Sequence, residues 1–268
     1  MEHSRRLAEH VAGLQFDSIP DEIVELARIG ARDWLGVALS GSGEPVVDLL
    51  VRSSRQSGCQ PVATAIGRGD PLSSLQAALV NGAASNAHDF DDVMLVPNAG
   101  HPSAPMLAAL FAVAEQLGAD GRTFITAYVA GMDVAHRLAL AVNPGHTNRG
   151  YLGTGTICCI ASSAAVARLL GLDTDQTLSA ISLAATQAAG LTHVFGTMAN
   201  AFQAGKSAQN ALLSAQLAQD GLTSSPGILE EPRGFGAVLG EGVDAERLSA
   251  DLGREFGFAS VMFKRFPT

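Results

Sequence analysis

The stretch Glu22-Ile-Val-Glu-Leu-Ala-Arg-Ile-Gly-Ala-Arg-Asp-Trp-Leu-Gly-Val-Ala-Leu39 decides the fold. Ile23, Leu26, Ile29 and Leu35 fall close to one stripe at helical spacing, with Pro20 and Asp21 as start signals and Gly41 as a stop. The same periodicity predicts helices near 71–92, 102–117, 122–141, 155–170, 175–190 and 206–219. Asp120-Gly121 and Gly171-Leu172-Asp173-Thr174 serve as connections. Thr174, followed three positions on by Thr177, reads as an incomplete capping box. Only residues 62–67 read as extended. With 29 glycines and 5% aromatic residues, the helix surfaces are small enough for axes to approach closely. The expectation is an all-α fold, a compact multi-helix domain over residues 1–255. Phe256, Phe258, Val261, Phe263 and Phe266 suggest the start of a β element in residues 256–268.

Composition narrows the function classes. A chain of 268 residues can bury a substantial core, and 47% of it is hydrophobic. No uninterrupted apolar run reaches the length of a membrane span, and the opening Met1-Glu-His-Ser-Arg-Arg6 lacks a signal-peptide pattern. Cys59, Cys158 and Cys159 form neither a disulfide framework nor a Cys-x-x-Cys site. Cytoplasmic residence is the simplest expectation. A net charge of −9 without a basic block argues against a nucleic-acid surface.

Against only 16% charged residues, the run Asn86-Ala-His-Asp-Phe-Asp-Asp-Val-Met-Leu-Val-Pro-Asn-Ala-Gly-His-Pro-Ser103 stands out. Its carboxylates and imidazoles could exchange protons near neutral pH if the fold brings them to a pocket. The competing reading is a helix end with solvated acids. On a helix, Asp89 and Asp92 share a face, as do His88 and Asp92, whereas Asp91 points away and is assigned to capping or a buried salt bridge. A His-Asp pair also occurs in metal-dependent phosphohydrolases, which need further ligands converging on His88 and Asp89. A prenyl-diphosphate site needs Asp-Asp-x-x-Asp, but Asp91-Asp92 is followed by Val93, Met94 and Leu95.

Four landmarks in order resemble the MmgE/PrpD family, which includes 2-methylcitrate dehydratases, cis-aconitate decarboxylases and an iminodisuccinate epimerase. They are Arg32-Asp-Trp-Leu-Gly36; Asn81-Gly82 leading to His88-Asp-Phe-Asp-Asp92 and His101-Pro102; Gly150–Gly155 with the helix ending Arg168-Leu-Leu-Gly-Leu172; and Gly196-Thr-Met198 leading to Ala204-Gly-Lys206. The resemblance implies a helical domain paired with a smaller α+β lid, a cleft between them, and no metal or organic cofactor. It implies that residues 256–268 begin that lid, which a separate subunit could also supply. A homodimer acting on a small di- or tricarboxylate is expected.

The resemblance places Asp89 and His101 on catalytic positions, with His101 as acid/base and Asp89 orienting it or exchanging its proton. Lys206, expected to open the helix Ser207–Gln219, would bind a carboxylate, aided by His88 and Asp92. Two departures stand out: Leu152 and Gln203 occupy positions that are often histidine, and Leu152 cannot carry a proton. His136, His146 and His193 are expected in core or surface roles. The alternative to a lyase-like enzyme is a catalytically impaired paralogue, a split-enzyme subunit or a fragment serving as an interaction domain.

Overall fold

The structure is a computed structural model that describes residues 1–58 and 60–267; Cys59 and Thr268 lie outside the described residues. Eleven helices account for most of the described residues: α1 (Glu2–Gly13), α2 (Asp21–Gly41), α3 (Pro45–Ser57), α4 (Ser74–Asn86), α5 (Ser103–Leu117), α6 (Gly121–Val142), α7 (Gly145–Asn148), α8 (Ile157–Leu169), α9 (Thr174–Gln187), α10 (Met198–Gln219) and α11 (Phe235–Leu239). A small antiparallel hairpin, β1 (Ala63–Ala65) and β2 (Asp70–Leu72), pairs Ala63 with Leu72. The fold is all-α, as expected.

Helices α4, α5, α8 and α10 pack together, with α6 against α8 and α9 beside α10. Alanine and glycine make this possible, because backbones meet where a larger side chain would intrude. At the α4–α10 crossing a Cβ added at Gly205 would stand 2.1 Å from the Leu79 carbonyl oxygen, and one at Gly82 would stand 2.9 Å from the Gly205 Cα. Helix α2 likewise buries Ala27, Gly30 and Trp34, while Leu26 and Ile29 are half-buried and Leu35 is exposed. The stripe read from large side chains is therefore rotated from the one that packs.

Several boundaries move for local reasons. The helix expected over 71–92 stops at Asn86, and Asp89 adopts a left-handed φ of 50° that no helix continues through. Asp89, Asp91 and Asp92 therefore lie on a turn, and the helical-face assignment does not hold. Lys206 does not open a helix: α10 starts two turns earlier at Met198, and Gly205 sits inside it because only hydrogen fits against Leu79. The capping box of α9 is complete one residue earlier than expected, with Asp173 accepting from the Gln176 amide and Gln176 reaching back.

Helix α6 is long and apolar enough to cross a membrane by length and composition, but it is a core helix, 89% buried over that window. Its buried Asp133 and Arg137 are bound from within. Asp133 accepts from His10 Nε2 at 2.9 Å and from the Gly257 amide at 2.7 Å. Arg137 donates to the carbonyls of Ala250, Asp251 (3.0 Å) and Glu255 (2.9 Å). The segment after residue 250 is thus tied to α6. Phe258 packs edge-on to Tyr128 at 4.8 Å, and Met262 bridges Val93. In place of a strand, the segment makes a 3-10 turn, Gly257–Ser260, and that single bridge.

The α4–α10 contact yields a pair of opposed outcomes. Gly205→Ala is expected to cost on the order of 2 kcal/mol, because backbone must move. Gly36→Ala, with nothing within 4 Å of the added methyl, is expected to be neutral or stabilising by about 0.5–1 kcal/mol. Urea unfolding of both variants checks this, and equal midpoints would contradict the close packing.

Candidate active site

The turn after α4, the start of α5 and the segment docked on α6 converge on His101. Its backbone amide donates to Thr154 Oγ1 at 3.0 Å. Its Nδ1–H donates to the Asp92 carbonyl at 3.0 Å, which leaves Nε2 as the basic nitrogen of the neutral ring. Asp89 Oδ1 lies 3.5 Å from Nε2, and Asp91 Oδ1 lies 3.3 Å from Nδ1. Lys264 Nζ completes the group, donating to Asp89 Oδ1 at 2.7 Å and to the Asp89 carbonyl at 2.8 Å.

The two inner acids differ from Asp89, whose side chain is half-exposed. Asp91 is buried and takes a hydrogen bond from Asn86 Nδ2 at 2.9 Å. Asp92 is buried too, its carboxylate held by the Ser103 amide at 3.2 Å and by the Ser103 hydroxyl, which also meets Tyr128 OH. Burial and the Asp91 charge push the Asp92 carboxyl up to about 7, against the Ser103 hydrogen bonds. Burial works against a charged His101, but Asp91 and Asp89 outweigh it and the Lys264 charge, so its pKa rises above the ordinary imidazole value.

Asp89 and His88 also line an open cavity of about 370 Å³, with Glu44, Gly196, Thr197 and Met198 on its other walls. That is ample for a small carboxylate. His88 lies within hydrogen-bond distance of the Ser40 carbonyl, 3.2 Å from Nε2, and Glu44 lies 3.8 Å away. Asp92, expected to reach substrate, faces inward to Ser103 instead. Lys206 is exposed in mid-α10 and donates to Gln209 one turn on, at 2.8 Å. Among the described residues it makes no hydrogen bond or ion pair with the His101 group.

Asp89, Asp91 and His101 place potential metal-binding atoms within 4.8 Å of one another. The fit to a cation is poor. Asp91 faces Nδ1 and Asp89 faces Nε2, so the two acids approach the ring from different nitrogens. The Lys264 ammonium already sits on Asp89.

Leu152 is buried, and its amide donates to the Gly190 carbonyl at 3.1 Å. Gln203 clamps the same neighbourhood, accepting from the Leu191 amide at 2.7 Å, while Tyr151 bridges Leu191. The turn is braced from behind by His146, which contacts Thr156 Oγ1 at 2.8 Å and the Leu239 carbonyl at 3.2 Å, and stacks on Tyr151. Lys264 was not singled out from the sequence. Its only signal was a lone lysine amid Phe263, Phe266 and Val261.

The structure is thus a helical domain in which an imidazole, carboxylates and an ammonium converge beside an open cavity. The MmgE/PrpD N-terminal domain model matches residues 5–248, and the chain belongs to that family. It is 30% identical to a cis-aconitate decarboxylase of Aspergillus terreus over 85% of this chain and 47% of that protein. It is 27% identical to the cis-aconitate decarboxylase of Homo sapiens over 97% of this chain and 55% of that one. The chain therefore spans about half the length of these curated relatives.

His146 yields a pH effect with a definite sign. Burial pulls its pKa down from 6.5 to about 4, so the folded state holds the ring neutral while the unfolded chain binds a proton below 6.5. Its contribution is present above pH 6.5 and is lost as pH falls toward 4, at most about 3 kcal/mol. His146→Gln should flatten the fall of the urea midpoint over that window; an unchanged slope would contradict it.

Proposed function

We propose that this domain forms the proton-handling half of a lyase-like site acting on a small di- or tricarboxylate, as its cis-aconitate decarboxylase relatives suggest. The observation that carries the reading is the His101 Nε2–Asp89–Lys264 arrangement beside an open cavity. His101, in the Nδ1–H form, takes or returns a proton at the carbon next to a carboxylate. Asp89 stabilises the imidazolium, and Lys264 balances the negative charge that develops on the substrate. His88 contributes at the cavity wall, and Lys206 binds a distal carboxylate if the substrate reaches α10. No metal or organic cofactor is part of this reading. A lid, carried on the same polypeptide or supplied by a second subunit, would exclude water and strengthen these interactions.

A second reading, an impaired paralogue, split subunit or interaction domain, is supported by Leu152, an apolar residue where a proton carrier is expected. The 268-residue chain alone should therefore turn over slowly. In the same proposal the chain is cytoplasmic and assembles as a homodimer. Exposed Leu191, Phe195, Met198 and Phe202 support a covered face; light scattering should give twice the 27.6 kDa chain mass, and a clean monomer at micromolar concentration would remove this part.

The catalytic assignment has its own test. Incubated in D2O with cis-aconitate, the protein should exchange a carbon-bound proton or release carbon dioxide at a rate measurable by proton NMR. His101→Gln should lower that rate by on the order of 10²- to 10⁴-fold with the fold intact. Undiminished turnover by His101→Gln would sink the assignment.

A further inference from the structure

Asp92 has a use that neither substrate contact nor packing accounts for. It begins the loop that ends at His101, and it holds both ends. Its backbone carbonyl takes the His101 Nδ1 proton at 3.0 Å, while its carboxylate takes the Ser103 amide at 3.2 Å and the Ser103 hydroxyl at the first turn of α5. Ser103 has one hydroxyl proton. If it goes to Asp92, the oxygen must accept from Tyr128, so the chain runs Tyr128 O–H to Ser103 O–H to Asp92. All three side chains are buried, and Phe258 closes the far side of Tyr128.

We propose that Asp92 is the positioning residue of the site, setting the tautomer and aim of His101 through its own carbonyl and through the Ser103–Tyr128 chain behind it. The consequence for catalysis rests on the reading of His101 as the acid/base. The physical argument is one of alternatives. A ring with a free choice of acceptor would rotate or donate from Nε2 to Asp89, and its basic nitrogen would then face the buried Asp91 rather than the cavity side. Fixing residue 92 at both backbone and side chain removes that choice. It also holds Asp91, its chain neighbour, against Nδ1. The charged and titratable groups around this unit are Asp89, Asp91 and Lys264 about the ring, Asp33 beyond Tyr128, whose charge acts on that phenol, and the buried Cys158 thiol of α8, on which the Asp92 and Asp91 charges act. The near-neutral Asp92 carboxyl makes the hydrogen-bond chain reversible in direction, because a protonated Asp92 would donate to Ser103 instead.

Imidazole nitrogen NMR of the 15N-labelled chain tests this without any substrate, with His101 assigned from the spectrum of His101→Gln. At pH above its titration, wild-type His101 should show a single Nδ1–H tautomer. Ser103→Ala leaves every ionisable side chain in place but cuts the chain, and should give a mixed tautomer. Asp92→Asn keeps the backbone carbonyl but loses the carboxylate, and should give a mixed tautomer and a lower midpoint. Tyr128→Phe, which retains the ring packing, should produce the same loss in weaker form and serves if either other variant unfolds. A pure Nδ1–H tautomer and unmoved midpoint in every folded variant would overturn the proposal, as would an Nε2–H ring in the wild type. If the tautomer shifts as expected while His101→Gln keeps full turnover, the catalytic reading fails and the positioning role stands.

Discussion

Two charges buried in α6, Asp133 and Arg137, constrain everything that matters for the site. Left without partners, each would cost several kcal/mol in so apolar an interior. Asp133 finds His10 and the Gly257 amide, and Arg137 finds three carbonyls between Ala250 and Glu255. The segment that supplies those partners is therefore part of the folded domain. Its docking seats Phe258 on Tyr128, bridges Met262 to Val93 and delivers Lys264 to Asp89. A core requirement thus brings Asp89, His101 and Lys264 together.

The helical class and most helix positions were legible because apolar periodicity is a local property. Helices α5, α6 and α8 fall within two residues of the reading. Where it failed, the deciding contact was distant in sequence. Gly205 reads as lying just before a helix start until Leu79 is known to lie against it. The end of α4 was missed because Asp89 reads as helical, whereas its left-handed turn is what aims it at His101 and Lys264.

The site was legible in part. His101 and Asp89 were chosen from the sequence and are neighbours in space, separated by a loop whose closure the sequence pattern did not show. Asp91, assigned to capping or a buried salt bridge, is buried and pairs with the His101 ring, whereas Asp92, expected on the substrate side, faces the Ser103–Tyr128 chain. The Asp92 miss follows from a turn replacing a helix, since faces at three and four residues have meaning only on a helix. Lys264 stands 163 positions beyond His101 and no local pattern joins them. Lys206, chosen for a helix start, is a solvated mid-helix lysine.

The α6 charges hold Lys264 on the Asp89–His101 group. The chain has only two lysines, Lys206 and Lys264, so reductive methylation followed by peptide mass spectrometry compares them within one sample. The Lys206 ammonium is exposed, whereas the Lys264 side chain is 11% exposed and bound to Asp89. Lys264 should be modified many-fold more slowly than Lys206 in the wild type, and should approach the Lys206 rate in folded Arg137→Met. Equal rates in the wild type, or protection of Lys264 that Arg137→Met leaves intact, would contradict the account.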